Sequence, residues 1–188
     1  MEKDIQMPKI DLSGLKKYTV MFILVLLMVL FSFSSPYFFT VRNLVNIITQ
    51  NTYFIIVAIG LSFVMIGGGI DLSVGYQMSL VGVVTAMSMV VYDLPVWLAI
   101  LIGIALGTFL GFLNGFIVTN VKVFPLIVTL ATSTVFQGIS YTVSQAQTFR
   151  GYPDEFLAIA KSTILGLNFD VWLTIVIVLL ATFIYYRT

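Results

Sequence analysis

Nine consecutive residues constrain this chain more than any others: Gly67-Gly68-Gly69-Ile70-Asp71-Leu72-Ser73-Val74-Gly75. They lie between long apolar runs and hold the only acid between Asp11 and Asp93. Glycines in a helix cost about 1 kcal/mol each relative to alanine. A carboxylate at the centre of a bilayer costs about 2.5–3.5 kcal/mol on the insertion scale. A break in the helix accommodates both. Non-helical backbone is tolerated at membrane depth only where protein buries it or it lines a polar cavity. The stretch therefore reads as a helix break facing protein or a solute path, with Gly67, Gly68, Gly69, Asp71, Ser73 and Gly75 as its motif. A second reading stays open: a short loop at the membrane surface, with Asp71 as N-cap of the next helix.

The rest of the chain agrees with a membrane setting. Sixty per cent of its residues are hydrophobic and nine per cent charged, where a soluble domain carries about 25% charged. Its 188 residues allow about six spans of roughly 20 residues each. The expected fold is an all-α polytopic membrane protein of about six transmembrane helices, with the glycine-rich break after the second. Without cysteine or histidine, the chain has no disulfide frame, no thiol chemistry and no imidazole base or metal ligand. A net charge of +1 and the lack of a basic stripe give no sign of a nucleic-acid partner. No cleavable signal peptide is expected, because the first apolar run is too long and no small-residue cleavage site follows it.

Residues 1–17 are polar and read as a cytoplasmic tail, with Lys16 and Lys17 as an anchor before the first span. Residues 18–188 read as the transmembrane part. Its spans are expected over 18–33, 44–66, 74–91, 96–119, 124–143 and 171–186. Asn46, Thr49, Gln50, Asn51 and Thr52 give the second span a polar face, directed either at other helices or at the outer interface. The segment 144–170 is expected outside, with a short helix over 154–161. By parity the inner segments hold Lys3, Lys9, Lys16, Lys17, Lys122 and Arg187, and the outer ones Arg42, Arg150 and Lys161. That excess of inner basic residues puts the N-terminus in the cytoplasm.

Gly103, Gly107, Gly111 and Gly115 recur every fourth residue in span four. This spacing puts them on one face and lets another backbone approach closely. Span five carries Thr129, Thr132, Ser133, Thr134 and Gln137, an interior helix unless its hydroxyls bond back to their own carbonyls. Gln77, Asn114, Thr129, Thr132 and Gln137 are the candidate pathway residues. No phosphate-binding loop of the G-x-x-x-x-G-K-[ST] form occurs, so no ATP hydrolysis is expected of this chain. Leu72 stands where G-x-G-x-x-G needs its third glycine. One intramembrane acid cannot make an aspartyl protease pair. No catalytic residue, metal site or cofactor is expected; what remains suits a solute pathway.

Several segments together resemble one family. Gly68-Gly69-Ile70-Asp71-Leu72-Ser73-Val74-Gly75 is similar to the signature of the sugar-type permeases of bacterial ABC importers, the membrane subunits of the ribose, xylose, galactose and autoinducer-2 systems. Asn43-Leu44-Val45-Asn46-Ile47, Gly111-Phe112-Leu113-Asn114-Gly115, Phe124-Pro125-Leu126-Ile127-Val128-Thr129-Leu130 and Gly151-Tyr152-Pro153-Asp154-Glu155-Phe156 resemble further family segments in the same order. The resemblance covers about residues 20–188.

It implies a bacterial inner-membrane permease for a monosaccharide or similar solute. The partners it implies are a second permease copy or relative, two cytoplasmic ATPase subunits and an extracytoplasmic sugar-binding protein. In that arrangement Asp71 and Ser73 fix the broken helix. Family members carry a second set of spans with the ATPase-coupling loop, so this chain corresponds to the front part of a permease. Two other readings accompany it: a secondary transporter or channel fragment using Asp71 as a proton or sodium site, and a truncated permease without transport of its own.

Overall fold

The computed structural model describes residues 13–187. Most of the proposed tail over 1–17 lies outside the described residues. The helices are α1 (Ser13–Ser34), α2 (Val41–Ile66), α3 (Val74–Val90), α4 (Val96–Phe116), α5 (Pro125–Ser144), α6 (Asp154–Lys161) and α7 (Phe169–Arg187). Two short strands, β1 (Thr163–Ile164) and β2 (Leu167–Asn168), pair antiparallel between α6 and α7. Among the described residues, α2, α5, α7 and the helical run Val96–Val121 are long and apolar enough to cross a membrane. Tyr18–Ser34 and Val74–Val90 are apolar but shorter.

The chain divides into two compact units at Ile47 and Ile48, within α2. In the first unit, α1 ends at a turn organised by Thr40. The Thr40 hydroxyl accepts the Asn43 backbone N–H at 3.2 Å, capping α2. The Asn43 side-chain amide donates to the Phe38 carbonyl at 2.8 Å. Beside this turn Phe38 packs edge to face on Phe39 and at a shallow tilt on Phe31.

The second unit is built on α3, which packs chiefly against α4 and α5. Leu80, Leu110 and Phe136, one from each helix, form a buried cluster. A second cluster, Met89, Val96 and Ala99, sits at the α3–α4 turn and is covered by Tyr152 and Phe156, whose rings stack. Pro125 opens α5 at its first turn, where a missing N–H costs nothing. Asp154 and Glu155 in the first turn of α6, and Lys161 in its last, complement the helix dipole.

Two local features depart from the sequence-based expectation. The run expected to stay helical to 119 leaves the α-helix at Phe116 and makes a π-helical turn, Ile117–Val121, before Lys122 adopts a left-handed conformation. The Asn120 side chain donates to the Phe116 carbonyl and the Thr119 hydroxyl to that of Gly115, so side chains serve the backbone here. The β1–β2 hairpin interrupts an otherwise helical chain. Its turn residues, Leu165 and Gly166, both have positive φ (52° and 80°), as in a type I′ turn. A leucine in that conformation costs about 1–2 kcal/mol.

The glycines of α4 do not behave alike. A Cβ on Gly103 would collide with the Thr85 hydroxyl on α3, and one on Gly107 would just touch Val81. Gly111 and Gly115 meet nothing within 4 Å. Gly103→Ala is expected to destabilise the α3–α4 packing by about 1–3 kcal/mol, and Gly111→Ala to stay within about 0.5 kcal/mol. Adding Thr85→Ala to Gly103→Ala should recover most of the loss. Thermal unfolding of the detergent-solubilised variants measures all three.

Candidate functional site

The segment 67–73 separates α2 from α3, and its two ends are held differently. At the α2 end, the Gly68 N–H donates to the Met65 carbonyl and the Gly69 N–H to that of Val64, both at 3.0 Å. Gly68 is left-handed (φ 79°). This pair of bonds is a Schellman closure, and it satisfies carbonyls that the helix end would otherwise leave open. Gly68 is the glycine this conformation requires.

At the α3 end, side chains do the work. The Asp71 carboxylate accepts the Ser73 backbone N–H at 2.8 Å and the Ser73 hydroxyl at 2.6 Å, both on Oδ1. Gln77 Nε2 donates to the Ser73 oxygen at 2.6 Å and approaches Asp71 Oδ2 at 3.3 Å. Asn114 Nδ2, from α4, donates to the same Ser73 oxygen at 2.8 Å. Ser73 is fully buried. Ser73, not Asp71, occupies the N-cap position of α3; Asp71 lies two residues earlier and supplies the acceptor. A negative group there is also favoured by the dipole of α3.

Bond directions in this cluster are fixed. The single hydroxyl proton of Ser73 goes to Asp71, so both amides must donate to the Ser73 oxygen. Asn114 therefore turns its carbonyl oxygen away, and that Oδ1 is buried with no protein partner. From α5, the Thr129 hydroxyl reaches the Ile70 carbonyl at 3.3 Å, satisfying a backbone group of the non-helical segment. Side chains from α3, α4 and α5 thus converge on 67–73.

A cavity of about 200 Å³ adjoins this cluster, lined by Gly69, Asp71, Gly111, Asn114, Gly115 and Thr129 among others. It is smaller than the roughly 300–1,000 Å³ of ordinary ligand pockets. A larger groove of about 420 Å³ lies between the second-unit part of α2 and α7, but its walls are almost wholly apolar.

Of the sequence-derived pathway residues, Gln77, Asn114 and Thr129 meet at the break. Thr132 bonds back to the Thr129 carbonyl on its own helix. Gln137 is half-buried farther along α5. Gly75 lies in the first turn of α3, and a Cβ there would meet nothing within 4 Å. Sequence reasoning passed over two interhelical bonds: Ser79 with Ser140 at 3.1 Å, and the Thr52 hydroxyl donating to Asp170 at 3.3 Å. Neither pair belongs to a recognisable local motif. No cluster of candidate metal ligands occurs among the described residues.

Comparison with known proteins gives a consistent match. Residues 43–188 fit the family model described as "Branched-chain amino acid transport system / permease component". The ribose import permease protein of Haemophilus influenzae is 37% identical over 165 residues, 86% of this chain and 51% of that protein. The D-allose transport system permease protein of Escherichia coli is 32% identical over 169 residues, 89% of this chain and 52% of that protein. The galactose/methyl galactoside import permease protein of Escherichia coli is 32% identical over 164 residues, 80% of this chain and 49% of that protein. The chain spans about half the length of the curated relatives it matches. No solved structure matches.

Ser73→Ala would remove the hydroxyl shared by Asp71, Gln77 and Asn114; Asp71 keeps the backbone N–H of residue 73 and Gln77 its long bond to Asp71, while the buried Asn114 amide is left unpaired, at a cost of about 1–3 kcal/mol. It should lower the unfolding temperature more than Thr129→Val, which loses one long hydrogen bond. Gly68→Ala should cost about 1–2 kcal/mol for its left-handed φ, whereas Gly75→Ala should be neutral or stabilising. Circular dichroism melts in one detergent rank the four variants.

Proposed function

The chain belongs to the family of permease components of the branched-chain amino acid transport system type, and from that premise we propose that it is part of the membrane subunit of an ATP-driven sugar importer. The observation that carries this reading is the 37% identity to a ribose import permease over 165 residues. The allose and galactose permeases among the relatives support the same substrate class, a monosaccharide or similar small polar solute.

In this reading the protein lies in the bacterial inner membrane with its N-terminus in the cytoplasm. It crosses six times, with α3 and the segment 67–73 together completing the third crossing. Residues 18–188 form the transmembrane permease domain, and 144–170 face the outside. Two cytoplasmic ATPase subunits supply the energy, and a second permease copy or relative completes the pathway. An extracytoplasmic sugar-binding protein delivers the solute. The chain itself performs no covalent chemistry and needs no cofactor.

The polar cluster then serves as a scaffold beside the pathway. Asp71, Ser73 and Gln77 hold the start of α3, while Asn114 and Thr129 join it to α4 and α5. Thr132 and Gln137 extend the polar lining along α5. Gly103 and Gly107 favour close approach of α3; Gly111 and Gly115 keep the cavity wall open. The Asp71 carboxylate already accepts from Ser73 and Gln77, which favours a structural acceptor over a coupling-ion ligand.

Chemical cross-linking in the native membrane, followed by purification on this chain, tests the assembly. The expected adducts contain an ATPase bearing a phosphate-binding loop and a second permease chain. Adducts free of any such ATPase, in cells actively taking up the sugar, would overturn the proposal.

A further inference from the structure

The β1–β2 hairpin breaks a local rule that its surroundings do not explain. A two-residue turn with positive φ at both positions favours Asn-Gly, Asp-Gly or Gly-Gly. Here the first position is Leu165, 88% exposed and at φ 52°. In water this residue would carry both backbone strain and an exposed apolar side chain. Where a sequence violates its local preference, a compensating interaction is expected.

Position identifies that interaction. The Trp172 indole N–H donates to the Ile164 carbonyl at 3.0 Å, and the Phe169 N–H to the Ser162 carbonyl at 3.0 Å. These bonds fix the hairpin to the first turn of α7, a helix long and apolar enough to cross a membrane. The hairpin therefore lies at the level where that helix leaves the hydrocarbon, the level at which tryptophan is enriched. Its apolar surface is continuous with α7: Ile164 is 49% exposed, and Phe169 and Leu173, four residues apart on one face, are also exposed.

No residue from 162 to 169 is charged, so no charge has to leave water where this surface meets the headgroup–acyl boundary. Asp170 accepts from Thr52 and from the Val171 backbone N–H. Lys161 is exposed, with a stem long enough to lie along apolar surface while its ammonium reaches the headgroups.

We propose that the hairpin is a lipid-interface anchor for α7, with Leu165 inserted at the headgroup–acyl boundary. Burial of a leucine side chain there offsets its backbone strain. The anchor sets the depth of α7 and needs no soluble partner. This inference requires only that α7 sits in a bilayer, and it holds whatever solute the protein carries.

The cysteine-free sequence makes the test direct. Single-cysteine variants Leu165→Cys, Leu179→Cys and Arg150→Cys are nitroxide-labelled and reconstituted, as the full chain, into phospholipid vesicles. Collision with oxygen, which partitions into lipid, is compared with collision with a water-soluble nickel complex. Leu179 lies exposed midway along α7 and Arg150 in an exposed loop, so they give the lipid and aqueous references. The label at 165 should lose most nickel collisions and gain oxygen collisions relative to the label at 150, with no partner added. A label at 165 that collides with nickel as freely as the one at 150 overturns the proposal. Shielding that arises only on adding a soluble binding protein also overturns it, and assigns the hairpin to docking instead.

Discussion

One hydroxyl group holds the start of α3. The Ser73 oxygen donates its proton to Asp71 and accepts from Gln77 and Asn114, all within 2.8 Å. It joins the non-helical segment to α3 and α4 at one fully buried point. α3 in turn is the helix against which α4 and α5 pack. A polar cluster in such surroundings is stable only when nearly every member is paired. Among its fully buried side-chain atoms, the Asn114 carbonyl oxygen is left without a protein partner. That exception follows from the acceptor role of Asp71, which orients the Ser73 proton and so both amides.

The backbone between the helices is handled with equal economy. Carbonyls at the end of α2 are closed by Gly68 and Gly69, the Asp71 carboxylate takes the first N–H of the α3 cap, and Thr129 takes the Ile70 carbonyl. Broken backbone in an apolar setting needs this kind of accounting. The glycines divide the labour. Gly68 supplies a left-handed conformation, Gly103 supplies room for Thr85, and Gly111 and Gly115 leave space beside the cluster.

Much of this was legible in the residues. The change at Gly67, the restart at Val74, the proline-led start of α5 and the helix Asp154–Lys161 all follow from strong local signals. Gln77, Asn114 and Thr129 stood out as polar side chains in apolar helices and were expected along a pathway; their place around the segment 67–73 was not expected. That Gln77 and Asn114 share Ser73 as a partner was not legible, because Ser73 and Asn114 lie 41 positions apart and only the packing of α3 on α4 brings them together. Ser79 with Ser140 and Thr52 with Asp170 stayed hidden for the same reason. The π-helical turn after Phe116 depends on Thr119 and Asn120 bonding to the backbone, which hydropathy does not register. The hairpin was hidden by its own chemistry, since Leu-Gly lacks the asparagine or aspartate that announces a type I′ turn.

The functional account joins that scaffold to a family of permeases through 37% identity to a ribose importer subunit and similar matches to allose and galactose permeases. Its central claim is ATP-driven sugar uptake through an assembly containing this chain. The most direct measurement is uptake of radiolabelled ribose, allose and galactose into cells expressing this chain together with the ATPase and binding protein of a sugar ABC importer, with ATP depletion and a protonophore applied separately. The account predicts uptake of at least one of these sugars, lost when ATP is depleted and retained when the proton gradient collapses with ATP maintained. Uptake that follows the proton gradient and ignores ATP would contradict it.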